Sequence, residues 1–398
     1  MGKRLRLLAK LFITVTLLFG FTHQVEAQEG IEFRDVRVEH RFGEEIRFSA
    51  QIQAASPVSE ILLVFREINE ENTRVIPLSA DSDGRVSYAY DAHENLLRPF
   101  AKITYWFQVT LADGTQQSSE KYFFLYEDNR FDWQMREEDN LRVHWSEGDE
   151  AFGLAALDTA RNGVAKIQSL FSVDTAQPID VYIYPTHDDL QSALFMGGED
   201  WIAGHASPDL GVVFVSIAPS EEQQILMQQQ IPHELAHVLL YRHVGKNYNR
   251  LPTWLQEGLA SLAELYPNPD YELALQRAME KDALIPLSEL CAPFPRDASQ
   301  AFLAYAEATS FTRYLQKNYG SSGLDELIAA YADGLACDAG TMRVFGKSLD
   351  YLDANWQESV LGANLFTSAL RATAPYVFLL ALFLAAPLFS GILALKKS

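Results

Sequence analysis

The sequence predicts a multidomain chain. An all-β domain of the immunoglobulin or fibronectin sandwich type comes first, a mixed α and β domain with a helical C-terminal lobe follows, and one apolar membrane helix comes last. Three observations carry this. Between residues 30 and about 127, apolar side chains recur at every second position. From 141 short apolar strands alternate with helical periods, and after Leu251 the pattern is nearly all helical. Uncharged runs stand near both ends, at 11–21 and 374–395.

The first element is a leader over 1–27. Lys3, Arg4, Arg6 and Lys10 make a basic start, an 11-residue apolar run follows, and Val25-Glu26-Ala27 has the small-residue pattern of a cleavage site. Eleven residues are too few to span a bilayer comfortably. The chain is therefore expected to be exported, with the leader cleaved after Ala27 or kept as an N-terminal anchor.

Residues 28–127 form the expected sandwich. Ile46, Phe48, Ala50 and Ile52 alternate with polar residues, as do Val86, Tyr88 and Tyr90. So do Ile103, Tyr105, Phe107, Val109 and Leu111, before the turn Ala112-Asp113-Gly114. Further strands fit 31–38, 60–68, 73–78 and 120–126. Seven short strands with turns such as Asp83-Gly84 suit two packed antiparallel sheets. A polar linker is expected over 128–140.

The domain at 141–361 opens with a strand at 141–145 and a helix over 150–171. A buried strand at 179–185, a short helix from His187 and two edge strands joined by a Pro-Asp turn within 201–218 come next. Then comes IPHELAHVLLY, from Ile231 to Tyr241. On a helix, residues four apart share a face about 6 Å apart, so His233 and His237 can converge on one ion. Glu234 is rotated off that axis, where it can reach a water without ligating the metal. A catalytic metal needs a third protein ligand and an open position. Glu257 follows His237 with 19 residues between, in LPTWLQEGLASLAE, where Pro252 suits the first turn of a new helix.

HELAH, that spacing and the QEGLA context resemble the gluzincin metallopeptidases, the thermolysin-like zincins, and more closely the peptidase MA-like domains of exported bacterial proteins. The resemblance covers about 140–361. It implies a Zn²⁺ cofactor held by His233, His237 and Glu257, with Glu234 as general base and peptide or protein substrates. It also implies a second donor to the tetrahedral intermediate. Tyr305, in AYAEATSFTRYLQKNYG, resembles the tyrosine of that family's helical lobe. His205, on an edge strand expected to align substrate by β-addition, and His243 are the other candidates. For support of the ligands the sequence offers Ser261 and Glu264; an acidic residue often stands at the position of Ser261 in thermolysin-like relatives. No GxMEN-like stretch occurs, which points to endopeptidase action. The motif's flank, MQQQIPHELAH, is too polar for an intramembrane protease.

Cys291 and Cys337 both fall in loop-like stretches of the lobe, and an oxidising compartment would pair them. A tether over 362–373 leads to the uncharged 22-residue run 374–395, long enough to cross a bilayer. Lys396 and Lys397, in the tail 396–398, suit a cytoplasmic flank. The net charge is −21. Without the six Lys and Arg of the two ends and Glu26, 26 positive and 52 negative groups remain. Such a body repels phosphate backbones, which excludes nucleic acid as a partner. The expected function is a membrane-anchored, extracytoplasmic zinc metallopeptidase. The other reading is a cell-surface binding module with little turnover; an intact Glu234 argues against it.

Overall fold

The computed structural model describes residues 30–194, 204–362 and 376. The expected leader (1–27), the apolar span (374–395) and the tail lie outside the described residues, apart from Tyr376, as does the tether beyond Gly362. Among the described residues no helix is long and apolar enough to cross a membrane. By internal contacts the chain divides into two units. One holds the residues up to His40 with 44–95 and 102–125; the other holds 41–43, 96–101 and everything from Tyr126.

The first unit is all β. Its strands are β1 (Glu32–Arg41), β2 (Glu45–Gln53), β3 (Val58–Glu67), β4 (Arg74–Leu78), β5 (Arg85–Asp91), β6 (Lys102–Leu111), β7 (Gln116–Ser118) and β8 (Tyr122–Leu125). One sheet runs β1-β2-β5; the other runs β4-β3-β6-β7, with β8 also paired to β6. Alternation in the sequence becomes alternation in burial. On β6, Ile103, Tyr105, Phe107 and Val109 are buried while Trp106, Gln108 and Thr110 are half-exposed. Phe48 of β2 meets Phe65 of β3 at 5.1 Å and Tyr105 of β6 at 5.2 Å, so aromatic rings join the two sheets. The strand expected at 120–126 is β8, and a further short strand the sequence did not show, β7, precedes it on the other side of Ser119. That hydroxyl takes the Phe107 N–H and donates to Glu120 O, replacing ladder bonds with local ones.

The second unit is α+β. Its strands are β9 (Gln134–Glu138), β10 (Leu141–Trp145), β11 (Ile179–Tyr184), β12 (Gly204–Ser207) and β13 (Val212–Ser216), in sheet order β12-β13-β11-β10-β9. β10, β11 and β13 are parallel; β9 and β12 are antiparallel edges. Two expectations change. Residues 134–138, read as linker, are strand β9; their polar sequence QMREE reflects a solvent-facing edge. The segment 212–216, read as an edge strand, is interior, and VVFVS is almost wholly buried as a strand covered on both faces must be.

The helices are α1 (Glu150–Gln168), α2 (His187–Leu194), α3 (Gln223–Val244), α4 (Thr253–Ala263), α5 (Asp270–Glu280), α6 (Ala298–Ala332), α7 (Cys337–Phe345) and α8 (Leu349–Val360). Asp149 caps α1 by accepting the Phe152 N–H at 3.0 Å. Gly163 lets α1 close on α3, since a Cβ there would come within 3.0 Å of Pro232. The core runs from Val143, Val181 and Val213 of the sheet through Leu235 and Leu239 of α3 to Trp254, Leu259 and Phe311. Gly320 interrupts α6 with φ 69°, a conformation glycine adopts without strain. Cys291 and Cys337 are joined by a disulfide, and the Trp254 indole N–H reaches Cys337 Sγ at 3.3 Å. The C-terminal lobe is thus fastened to α4.

Candidate metal centre

α3 and α4 bring three ligating side chains together. His233 Nε2 lies 3.4 Å, and His237 Nε2 3.7 Å, from Glu257 Oε2. Ligand atoms of all three residues fall within 4.8 Å of one another. The remaining imidazole nitrogens are already engaged. His233 Nδ1 lies 3.1 Å from Glu264 Oε1, and His237 Nδ1 lies 2.8 Å from the Tyr248 hydroxyl. With Nδ1 engaged by those oxygens, each Nε2 is left facing Glu257, where it can offer its lone pair to a metal once it carries no proton. Two imidazoles and a carboxylate, with their outer sides tied down, fit a divalent transition metal.

The electrostatics agree with a site built for a cation. Burial opposes a charge on His233, yet the Glu257 and Glu264 carboxylates hold it well above its ordinary pKa. Burial, with His233 nearby, pulls His237 down to about 4, so it stays neutral and able to ligate. Burial also works against ionised Glu257, but His237, His233 and the Tyr305 hydroxyl keep its carboxyl below the usual range. A proton or a metal ion can supply the positive charge these carboxylates stabilise.

Glu234 stands beside this group. It is 8% exposed. Burial pushes it up to about 7, against the pull of His233 and with the push of Glu257 and Glu264. Its carboxylate rests against β12, where a Cβ on Gly204 would lie 2.6 Å from Glu234 Oε1. Gly204→Ala should therefore displace the flexible carboxylate and leave the backbone intact. Metal content and melting temperature are expected to hold while kcat falls about 10–100-fold, the scale of a small misplacement. Unchanged kcat would show that Glu234 does not need that wall.

A cleft of about 660 Å³ lies over the group, lined among others by His205, Tyr248, Tyr271, Phe302 and Tyr305. His205 on β12 is held below its ordinary pKa by burial and stacks on Phe214 at 6.4 Å between centroids. Tyr305, from α6, has its ring 6.4 Å from His233 and edge-on to Phe294 at 5.1 Å. Its hydroxyl bonds to Glu257, and burial among carboxylates keeps the phenol protonated. His243 is elsewhere, 3.3 Å from Asp325 and 6.0 Å from the Phe171 ring. Ser261 is buried, and it is Glu264, three residues on, that hydrogen-bonds to His233. Tyr248 had no sequence signal, because it comes from the short 3-10 turn Gly245–Arg250 after α3. Tyr271 and Phe302 were likewise illegible, since they reach the cleft through packing of α5 and α6, as was Asn268 in the loop before α5.

Comparison with known proteins gives one family match, the Peptidase MA superfamily, over residues 159–362. No curated protein matches the chain. Among solved structures, wild-type OgpA from Akkermansia muciniphila is similar at 16% identity and a TM-score of 0.22, over 25% of this chain and 28% of that one. The chain thus spans little more than a quarter of OgpA. A carbohydrate-binding module of family 56, a β-1,3-glucan binding domain, matches at 12% identity and a TM-score of 0.17, over 23% of this chain and 98% of its own. A cycloalternan-degrading enzyme from Trueperella pyogenes matches at 14% identity and a TM-score of 0.18, over 27% and 16%. Scores this low carry no argument. The family match is different, for it covers 204 of the 398 residues and contains His233, Glu234, His237 and Glu257. The chain belongs to the Peptidase MA superfamily.

Proposed function

We propose that the second unit is a zinc-dependent, thermolysin-like peptidase that cuts within peptide chains. The observation that carries this is the convergence of His233, His237 and Glu257 with both imidazole Nδ1 atoms already bonded and Glu234 alongside. His233, His237 and Glu257 would hold the zinc, which when bound supplies Lewis acidity to a water and to the substrate carbonyl. The chain's own residues do the rest. The open edge of β12 aligns an extended substrate by strand pairing. Glu234 takes the proton of the attacking water and returns it to the leaving amine nitrogen. Tyr305, kept protonated, turns its hydroxyl from Glu257 to the carbonyl oxygen as negative charge builds there.

Tyr305→Phe is then expected to lower kcat by about 10²–10³ with little change in KM. A near-normal kcat would leave Tyr305 as packing for Phe294 and transfer the donor role to His205.

The ends of the chain support an extracytoplasmic, membrane-anchored peptidase, with a leader at 1–27 and a single span at 374–395 whose Lys396 and Lys397 stay inside. The disulfide suits an oxidising compartment. The strand order β1-β2-β5 facing β4-β3-β6-β7 supports an immunoglobulin or fibronectin-like leading domain. Nucleic acid is not among the proposed partners, given the acidic body. Purified protein mixed with a peptide library should generate new internal amino termini, read by mass spectrometry. Peptides bound and recovered intact would favour a binding module instead.

A further inference from the structure

We infer that the cleft selects basic peptide segments; the inference rests on the peptidase reading and names its substrate class. Besides three histidines and three tyrosines, the ionisable residues lining the cleft are Glu234, Glu257 and Glu264; no lysine or arginine is among the described lining residues. A bound divalent cation offsets two of those negative charges, and the third remains. Gln230 adds an acceptor, for its side-chain oxygen takes no hydrogen bond. Tyr271 and Phe302, edge to face at 5.1 Å, offer aromatic surface on which the stem of a lysine or arginine can lie.

The acidity continues past the cleft. A second cavity of about 600 Å³ shares Glu264, Asn268 and Tyr271 with the first and adds Glu272. Its one cation among the described lining residues is Arg313 of α6. Over residues 126–362 there are 15 Lys and Arg against 36 Asp and Glu, a net of −21. A field of that sign raises the encounter rate of cationic chains by about 10–10³-fold and slows anionic ones. It acts over about 30 Å at 0.01 M salt and about 8 Å at 0.15 M. Preference for basic flanks should therefore be large in dilute buffer and shrink as salt is added.

Three fluorogenic peptides with one apolar centre, flanked by Lys, Gln or Glu, test this on the full protein. The expected order of kcat/KM is Lys above Gln above Glu, with about 10-fold or more between the extremes in dilute buffer. The ratio should fall several-fold near 0.5 M salt and should also fall in Glu272→Lys, which reverses a charge on the exposed first turn of α5. Equal rates, a preference for the Glu-flanked peptide, or a ratio that ignores salt would overturn the inference. Fluorescence anisotropy with non-cleavable versions of the three peptides, N-methylated at the central bond, repeats the comparison on the native protein without turnover. If no peptide is cut but binding keeps the same order, the peptidase reading fails and the charge selection stands. If all three peptides bind alike, the charge selection fails.

Discussion

The Glu234→Gln protein is expected to carry its metal at full occupancy and to hydrolyse peptides about 10²–10⁴-fold more slowly than the native chain. The reason is a division of labour visible in the geometry. Ligand atoms of His233, His237 and Glu257 face one another, whereas Glu234 lies on the Gly204 side and contributes nothing to that group. The amide keeps the size of the carboxylate but cannot accept a proton from water at neutral pH. Metal analysis beside single-turnover rates separates the two effects. Loss of metal with loss of rate would make Glu234 a ligand, and a rate within a factor of a few of native would remove it from the chemistry.

His237→Ala should lose both metal and activity. It deletes one of three ligands and also strips the Tyr248 hydroxyl of its partner at 2.8 Å. A site reduced to one imidazole and one carboxylate holds a divalent ion far more weakly. Less than about a tenth of the native metal should survive dialysis, with kcat falling in proportion. Circular dichroism guards against unfolding, because the disulfide and the Trp254 and Phe311 cluster stay in place. A folded variant with full metal content would break the proposed ligand set.

How much of this could be read from the sequence follows from how local each signal is. Period-two alternation marked β2, β5 and β6, because one face of each is more buried than the other along most of its length; on β6 only Thr104 breaks the alternation. It missed β9, whose exposed edge carries no apolar face, and it misjudged β13, where a run buried on both sides leaves no period to read. His233 and His237 were legible because helix geometry fixes residues four apart. Glu257 needed a second helix to be crossed against the first. Between Ser261 and Glu264 the sequence could not choose. Ser261 lies one turn after Glu257, but Glu264 is the C-cap of α4, and it is Glu264 that meets His233. Tyr248 was beyond reach, since nothing in a six-residue 3-10 turn predicts a hydroxyl delivered to an imidazole 11 positions upstream.

The most direct test is a titration of chelator-stripped protein with zinc, following hydrolysis of a peptide already shown to be cut. Activity should be absent at first, rise linearly, and saturate at one zinc per chain, while Glu234→Gln binds the same equivalent and stays inactive. Hydrolysis that persists in the stripped protein, or that fails to appear when one zinc is bound, would contradict a metallopeptidase centred on His233, His237 and Glu257.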